Sequence, residues 1–226
     1  DVCSSDLVKG ADGEEQIKYC KVLSFNYTNT YERLYLDKQQ IQNSIDYIHG
    51  KAKLFNTVEN NNMVLGIDEY LTDERKDRET EFIAFKKFYQ RIYKETGCKY
   101  KDWVETIREE YDDFLQEKER IINRANEYVG NDVQRMMHRL QASAVRDQKC
   151  KMHNVYIFGH SLDITDKDIL RELILNENVY TTIFYLNRDV MGQQIANLVK
   201  IIGQDELIRR TGGKSKTIEF KQQKEC

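Results

Sequence analysis

The chain lacks several features that would point to particular classes of protein. Its 226 residues contain no proline, which together with many Asn, Lys, Ile and Tyr residues indicates an AT-rich genome rather than a function. The 35 Lys and Arg residues do not exceed the 38 Asp and Glu residues, so no basic excess is available to bind nucleic acid in bulk. No apolar run approaches the roughly 20 residues of a membrane span, and the first residues do not resemble a signal peptide. These absences predict a cytoplasmic protein without a membrane partner.

The cysteines are few and scattered. There are five of them, an odd number, and none forms a Cys-x-x-Cys pair. This pattern favours a reducing compartment and argues against a disulfide framework and a structural zinc site. The chain is also 40% hydrophobic and 11% aromatic, which is enough apolar material for one or two folded domains.

The chain opens on an unusual heptapeptide, Asp-Val-Cys-Ser-Ser-Asp-Leu. One reading frame of a common short-read sequencing adapter encodes this peptide, and no methionine precedes it. We therefore interpret residues 1–7 as an adapter-derived artefact at the front of a metagenomic fragment. On this hypothesis we expect the true N-terminal segment to be missing.

Short apolar runs alternate with helical patterns in both end regions of the chain. Runs rich in β-formers occur at residues 21–27, 45–48, 63–67, 155–158, 182–186 and 217–220, and helical patterns at 30–36, 165–175 and 190–202. This rhythm predicts an α/β fold with a Rossmann-like, mostly parallel sheet covered on both faces. We assign this domain to residues 8–72 and 149–226. Its predicted core consists of residues on the strands: Leu23, Phe25, Ile48, Leu65, Ile157, Phe158, Ile183 and Tyr185.

The region between the two halves, residues 73–148, has a different period. Apolar residues recur at three- and four-residue steps between Phe82 and Ala144, with breaks at Gly97 and Gly130, so the sequence predicts an insertion of three helices. Acidic and basic residues are interspersed along residues 73–128, which is typical of solvated helix faces. The apolar stripe is expected to pack in the core, because a helix needs such a stripe to be held by its neighbours.

Polar residues follow four of the apolar runs. The carboxyl ends of parallel strands meet at one edge of a sheet, where doubly wound folds bind their ligands, so these residues predict one ligand site. Asp163 and Asp166 follow the Gly159-His160-Ser161 cluster. Either of them can cap the helix that begins there instead of binding a ligand. A structural hydrogen bond is an equally open role for His160. The four clusters are Asn26-Tyr27-Thr28, His49-Gly50, Gly159-His160-Ser161 and Asn187-Arg188.

At these clusters the chain resembles the bacteriophage abortive-infection AbiH family. The resemblance is carried by Phe-Asn-Tyr-Thr at residues 25–28, Tyr-Ile-His-Gly at 47–50, Val-Leu-Gly-Ile-Asp at 64–68, Ile-Phe-Gly-His-Ser-Leu-Asp at 157–163 and Thr-Asp-Lys-Asp at 165–168. Members of that family begin with a strand and a glycine-rich turn that is expected to face a pyrophosphate. That segment is absent here, so the resemblance implies a chain with little or no catalytic activity of its own.

More distantly, the pattern is similar to sirtuin-like NAD-consuming domains of antiphage systems. This similarity implies NAD as substrate or ligand, and an NAD or nucleotide glycohydrolase with His49 as general base and Asn26 orienting the water or the ribose. His49, His160 and Asp163 are conceivable metal ligands, but no tight spacing supports a metal site, so we expect no metal. The lack of a cysteine zinc module argues against lysine deacylation. The similarity also implies a set of nucleotide-binding residues: Tyr27, Thr28, Gly159, His160, Ser161, Asp163 and Asn187.

A second function remains open. The fold can serve as a binding module that senses a nucleotide or a phage component, with the helical insertion transmitting the signal by forming a homo-oligomer. An exposed, asymmetric apolar stripe on the insertion would favour this alternative, whereas the interspersed charges of the sequence leave the choice open.

Overall fold

The computed structural model describes residues 2–9, 15–35, 45–57, 59–66 and 80–223, and it has the predicted α/β fold. Within these residues, six strands form a single sheet in the order β3-β2-β1-β4-β5-β6. Five of the strands run in one direction, so the sheet is mostly parallel as predicted. The strands are β1 (Val2–Lys9), β2 (Glu15–Ser24), β3 (Ile45–Tyr47), β4 (His153–Ile157), β5 (Val179–Tyr185) and β6 (Ile218–Gln222).

Strand β1 is antiparallel to both of its neighbours and separates the parallel pair β2–β3 from the parallel strands β4 to β6. If the family's N-terminal strand is missing, we expect an unpaired edge in the middle of the sheet; this expectation is wrong, because β1 pairs with both β2 and β4. An open edge presents a row of free N–H and C=O groups that any strand within reach can pair with. Only residues 10–14 connect β1 to β2, and because a parallel crossover needs a dozen or more residues, β1 pairs in the antiparallel sense. The adapter origin of residues 1–7 stays a prediction.

The helices follow the predicted pattern with small shifts at their ends. Residues 63–66 form no strand, and residues 67–79, which include the predicted boundary at 73, lie outside the described part. Helix α7 follows α6 directly and was not predicted. The helices are α1 (Thr30–Tyr35), α2 (Lys87–Tyr93), α3 (Lys99–Glu127), α4 (Asp132–Arg146), α5 (Lys167–Ile174), α6 (Arg188–Ile202) and α7 (Gln204–Thr211), with 3-10 turns at Thr80–Phe85, Ile164–Asp166 and Gly213–Ser215.

The core lies between the sheet and helices α3, α5 and α6. Leu23, Ile48, Ile157, Ile183 and Tyr185 are buried as predicted, and Phe25 packs against the core while partly exposed. Two predictions were wrong. Leu65 is 68% exposed because its segment forms no strand, and Phe158 is 42% exposed because it lies just beyond the end of β4.

Helices α3 and α4 form an antiparallel hairpin. Near its tip the Tyr128 hydroxyl hydrogen-bonds to Gln134, and at the other end Lys118 Nζ donates to the Arg146 carbonyl (2.7 Å). The outer face of α4 differs from the prediction, because the apolar stripe that contains Val133 and Leu140 faces solvent. Helical spacing predicts that the apolar stripe exists, but it does not predict whether another part of the protein covers it. None of the described helices is long and apolar enough to cross a membrane.

Candidate functional site

The predicted polar clusters lie at one edge of the sheet. Leu23 on β2 and Ile157 on β4 both pair with Val2 of β1, which places the carboxyl ends of β2 and β4 side by side about 10 Å apart. Strands β3 and β5 end at the same edge because they run parallel to these two. Asn26 and Ser161 therefore follow strand ends at the same edge of the sheet with only β1 between them, as a shared site requires.

His49 is fixed by the tight turn that follows β3. Gly50 has φ +76°, and a Cβ atom at this position would lie 2.0 Å from the carbonyl oxygen of Asn62, so only glycine lets the two segments approach. The Val64 amide donates to the His49 carbonyl (2.8 Å), and the Tyr27 hydroxyl donates to the Val64 carbonyl (2.6 Å). These contacts bury His49 to 4% exposure beneath residues of three segments.

Asp166 is the centre of the site. Its Oδ1 atom accepts from His49 Nε2 at 3.1 Å, and its Oδ2 atom lies 3.6 Å from His160 Nε2. The Phe25 ring lies between the two histidines, with its centroid 4.3 Å from that of His160 and 5.8 Å from that of His49. The structure thus brings together two histidines from separate strand ends around one buried carboxylate, which makes no capping hydrogen bond to the helix it precedes.

Lys87, at the start of α2, supplies a positive charge to this cluster. Its Nζ atom donates to Asp166 Oδ1 (3.0 Å) and to the Thr165 hydroxyl (2.9 Å). Helix α2 is held over the site from the other side, where Gln90 accepts from the Leu65 amide (2.9 Å) and Lys94 donates to the Met63 carbonyl. The helical insertion therefore contributes a side chain to a site otherwise built from strand ends.

The environment sets the protonation of the pair. Burial lowers the pKa of the His49 imidazole below its ordinary value, although the Asp166 carboxylate works against this shift. Burial favours a higher pKa for Asp166, but its contacts with His160 and His49 and the charge of Lys87 outweigh it and hold that pKa well below its ordinary value. At neutral pH Asp166 is therefore ionised and His49 is neutral.

The tautomer of His49 follows from this arrangement. An ionised carboxylate only accepts hydrogen bonds, so the proton of His49 lies on Nε2 and Nδ1 carries a lone pair. In the described part of the chain, that Nδ1 atom is buried and has no hydrogen-bond partner. A neutral imidazole anchored by a carboxylate, with its second nitrogen uncommitted, is the arrangement that a general base requires.

The turn after β4 positions His160. The Leu162 amide donates to His160 Nδ1 (2.9 Å), which leaves Nε2 to carry the proton toward Asp166. From helix α6, Gln194 donates to the His160 carbonyl (3.1 Å) and Asn197 to the Ser161 carbonyl (2.9 Å). His160 thus has a structural hydrogen bond in addition to its place in the site.

The other predicted residues line the edge without joining the buried cluster. Asp163 accepts from the Thr165 amide (3.0 Å) and Asn187 from the Val190 amide (3.0 Å), so both cap the helical segments that follow them. The Tyr27 ring lies 6.2 Å from that of His49, and burial together with the Asp166 charge raises the pKa of its hydroxyl. Five predicted residues are exposed at this edge: Asn26, Thr28, Gly159, Ser161 and Asn187.

Comparison with known proteins identifies the family. A family model described as bacteriophage abortive infection AbiH matches residues 4–186. The chain belongs to the AbiH family. No curated protein and no solved structure matches it.

Membership in the AbiH family places the chain in abortive infection, a form of defence against bacteriophage. The matched residues include every member of the buried cluster, from Phe25 to Asp166. The described residues of this AbiH protein contain no group of three or more His, Cys, Asp or Glu side chains arranged to hold a metal ion. Within the described ranges, the Lys87 ammonium lies 3.0 Å from Asp166 Oδ1.

Two residues of the AbiH site were not identified as site residues from the sequence. Asp166 belongs to the motif that carries the resemblance, where it lies between Asp163 and Asp168. This group of acidic residues was the one feature of the sequence that could have indicated a site, but helix capping explained it equally well. Lys87 gave no signal, because one lysine among the many charges of an amphipathic helix is not distinctive. Only the packing of α2 brings it to the strand ends.

Proposed function

We propose that this site hydrolyses the glycosidic bond of a nucleotide, with NAD as the substrate, and that this activity is the effector step of abortive infection. The observation that carries the proposal is the state of His49, whose Nε2 is held by Asp166 and whose Nδ1 is buried and unpartnered. A buried acceptor without a donor is unfavourable by about 1–3 kcal/mol. A substrate hydroxyl or a water molecule at Nδ1 would relieve this cost.

The proposed reaction uses His49 as the base. Water attacks the anomeric carbon of the nicotinamide riboside, its proton passes to His49 Nδ1, and the bond from that carbon to the nicotinamide nitrogen breaks. Nicotinamide leaves as a neutral molecule because its ring nitrogen is positively charged in NAD, so no acid is needed for the leaving group. Asp166 stabilises the imidazolium that forms, as the carboxylate does in a Ser-His-Asp triad.

The exposed residues at the sheet edge are the proposed substrate contacts. Asn26 lies two residues after the end of β2, and its side chain offers both a donor and an acceptor to ribose hydroxyls or to the attacking water. Gly159 and Ser161 form the turn after β4, and the space where a Cβ of Gly159 would lie has no atom within 4 Å. The rings of Phe25 and Tyr27 lie beside His49, and because Nδ1 is buried, a substrate reaches it only when neighbouring groups shift.

A second function is favoured by a different observation. The exposed apolar stripe on α4 is the feature expected of an insertion that transmits a signal through an oligomer. In that case the site binds a nucleotide or a phage component without cleaving it, and the buried His49 has a structural role. The two functions differ in whether nicotinamide is released.

The test uses an AbiH-family protein that carries the glycine-rich N-terminal segment, incubated with NAD and followed by nicotinamide release. Replacing the residue matching His49 by Ala should lower turnover at least about 100-fold while NAD binding changes less than about tenfold, because a general base acts mainly in the transition state. Replacing the residue matching Asn26 should lower turnover with some loss of binding. As a matched control, replacing the residue matching His138 on the hairpin by Ala should leave both unchanged.

The same variants separate the two functions in cells. If hydrolysis is the effector activity, both site variants should abolish growth arrest on phage infection. If the parent protein releases no nicotinamide and defence survives both substitutions, the binding function replaces the enzymatic one.

A further inference from the structure

Helix α4 turns its apolar side away from the protein. Val133, Met137, Leu140 and Ala144 follow one another at steps of four, three and four residues, the spacing of a seam between two packed helices. Val133, Met137 and Leu140 are 72%, 56% and 60% exposed. We call these four residues the α4 stripe.

The opposite side of α4 packs against α3. There Ala142 is buried, and the His138 ring lies 4.7 Å from the ring of Tyr128. Arg135 is on the same side and donates to the Gly130 carbonyl (3.0 Å). The more polar side of α4 thus faces the hairpin and the apolar side faces solvent, the reverse of what burial of apolar surface would favour in a monomer.

We propose that the α4 stripe is the contact surface of a symmetric dimer, in which α4 of a second copy of this chain crosses it antiparallel. The partner follows from the self-complementarity of the stripe. When two α4 helices meet about the point between His138 and Arg139, Met137 of each copy faces Leu140 of the other. In the same arrangement Val133 faces Ala144. Such a contact uses the same patch twice, as a two-fold axis requires.

The charges of α4 favour this orientation. The residues that flank the stripe, Gln134, Gln141 and Ser143, are uncharged, so no like charges meet along the seam. The Asp132 side chain is 95% exposed at the start of α4, and Arg146 is exposed at its end. Antiparallel pairing brings Asp132 of one copy to the end that carries Arg146 in the other, whereas parallel pairing would place like charges together. It also opposes the two helix dipoles.

The size of the surface sets the expected strength. Helix α4 has 15 residues and is therefore about 22 Å long. One helix pair of this length buries less than the roughly 1,200–2,000 Å² of stable interfaces. The dimer should accordingly dissociate on dilution. This contact does not depend on the hydrolase proposal, because no residue of the stripe belongs to the site around Asp166.

The test is sedimentation velocity of the full chain over a range of concentrations. The parent should change from monomer at low concentration to dimer at high concentration. Leu140→Glu and Met137→Lys should each be monomeric throughout, since each places a charge in the seam. Ile208→Glu on α7 is the matched control, because Ile208 is 61% exposed against 60% for Leu140, and it should dimerise like the parent.

Mixing the two variants tests the orientation. In the antiparallel pair Glu at position 140 of one copy faces Lys at position 137 of the other, so an equimolar mixture of Leu140→Glu and Met137→Lys should regain dimer. In a parallel pair each position faces itself, and the mixture would stay monomeric. A monomeric parent at all concentrations, an equal loss of dimer in Ile208→Glu, or a mixture without dimer would each overturn the proposal.

Discussion

Replacing Asp166 by Asn tests the electrostatics of the site without changing its shape. The carboxylate is 8% exposed and is in contact with His49, His160 and Lys87. Asn keeps one acceptor but removes the charge, and its amide hydrogens point at groups that are themselves donors. Removing one partner of a buried ion pair costs about 3–5 kcal/mol, and because Asn retains the packing we expect about 3 kcal/mol. For a chain of this size the melting temperature should fall by roughly 6–12 °C.

The pH dependence of that loss has a defined sign. The pKa of Asp166 is held below its ordinary value of about 3.9, so its stabilising contribution is complete above that pH and is lost as the pH falls through the native pKa. The pKa of His49 is also lowered. Below about pH 6.5 His49 is protonated in the unfolded chain but still neutral in the native chain, so the free energy of unfolding also falls in that range. Because Asp166 raises the pKa of His49 against the effect of burial, the variant loses this support and its His49 takes up a proton only at lower pH. The stability difference between parent and Asp166→Asn should therefore be constant above about pH 6.5, widen as His49 of the parent takes up its proton, and narrow below about pH 4 as Asp166 of the unfolded parent is protonated.

The assay is urea unfolding followed by circular dichroism between about pH 2.5 and pH 8. Asp163→Asn is the matched control, because Asn caps a helix as well as Asp does, and it should change the free energy of unfolding by less than about 0.5 kcal/mol. The double variant Lys87→Met/Asp166→Asn should lose less free energy of unfolding than the two single variants lose together. In Asp166→Asn the Lys87 ammonium has already lost its carboxylate partner. An Asp166→Asn variant that costs no more than Asp163→Asn at pH 7, or a difference that does not narrow below about pH 4, would refute these electrostatics.

Three further predictions concern the neighbourhood of the site. Gly50→Ala should destabilise the protein by at least about 2 kcal/mol in a thermal melt, because its Cβ would lie 2.0 Å from the Asn62 carbonyl oxygen at φ +76°; a neutral effect would contradict the close approach. Tyr27→Phe should cost about 1 kcal/mol in urea unfolding through loss of its hydrogen bond to the Val64 carbonyl, and an unchanged midpoint would argue against that bond. Nicotinamide release by an active family member should fall on acidification with a midpoint below about 6.5, because only neutral His49 acts as a base; a midpoint above 7 would be inconsistent with the buried imidazole.

The best-predicted parts of the fold are those in which the spacing of apolar residues along a segment matches the burial of that segment. The strands around Ile157 and Ile183 are apolar because both faces are covered, and the helices between them have a clear period. The strand β1 could not be predicted, because its pairing depends on open edges elsewhere in the sheet and not on its own pattern. Leu65 was assigned to the core from a short apolar run that forms no strand.

The candidate site was predictable only where the sheet determines it. His49 and His160 come together because parallel strands end at one edge, which spacing along the chain shows. The contacts that complete the site depend on packing between distant segments. Asp166 could either cap a helix or form ion pairs, and the sequence does not show which. Lys87 lies on the helical insertion, and only packing brings it to the site. The α4 stripe shows the same limit, since the period of Val133 and Leu140 identifies an apolar face without showing what covers it.

The proposed chemistry depends on one claim, that His49 is a neutral base with its proton on Nε2 and its Nδ1 free. Long-range ¹H–¹⁵N correlation NMR of the ¹⁵N-labelled chain, with His49→Gln used for assignment, measures this directly. Our account predicts that His49 is neutral at pH 7, with the Nε2–H tautomer, and stays so below the ordinary histidine pKa of about 6.5. A His49 that carries its proton on Nδ1, or that is doubly protonated at pH 7, would contradict it.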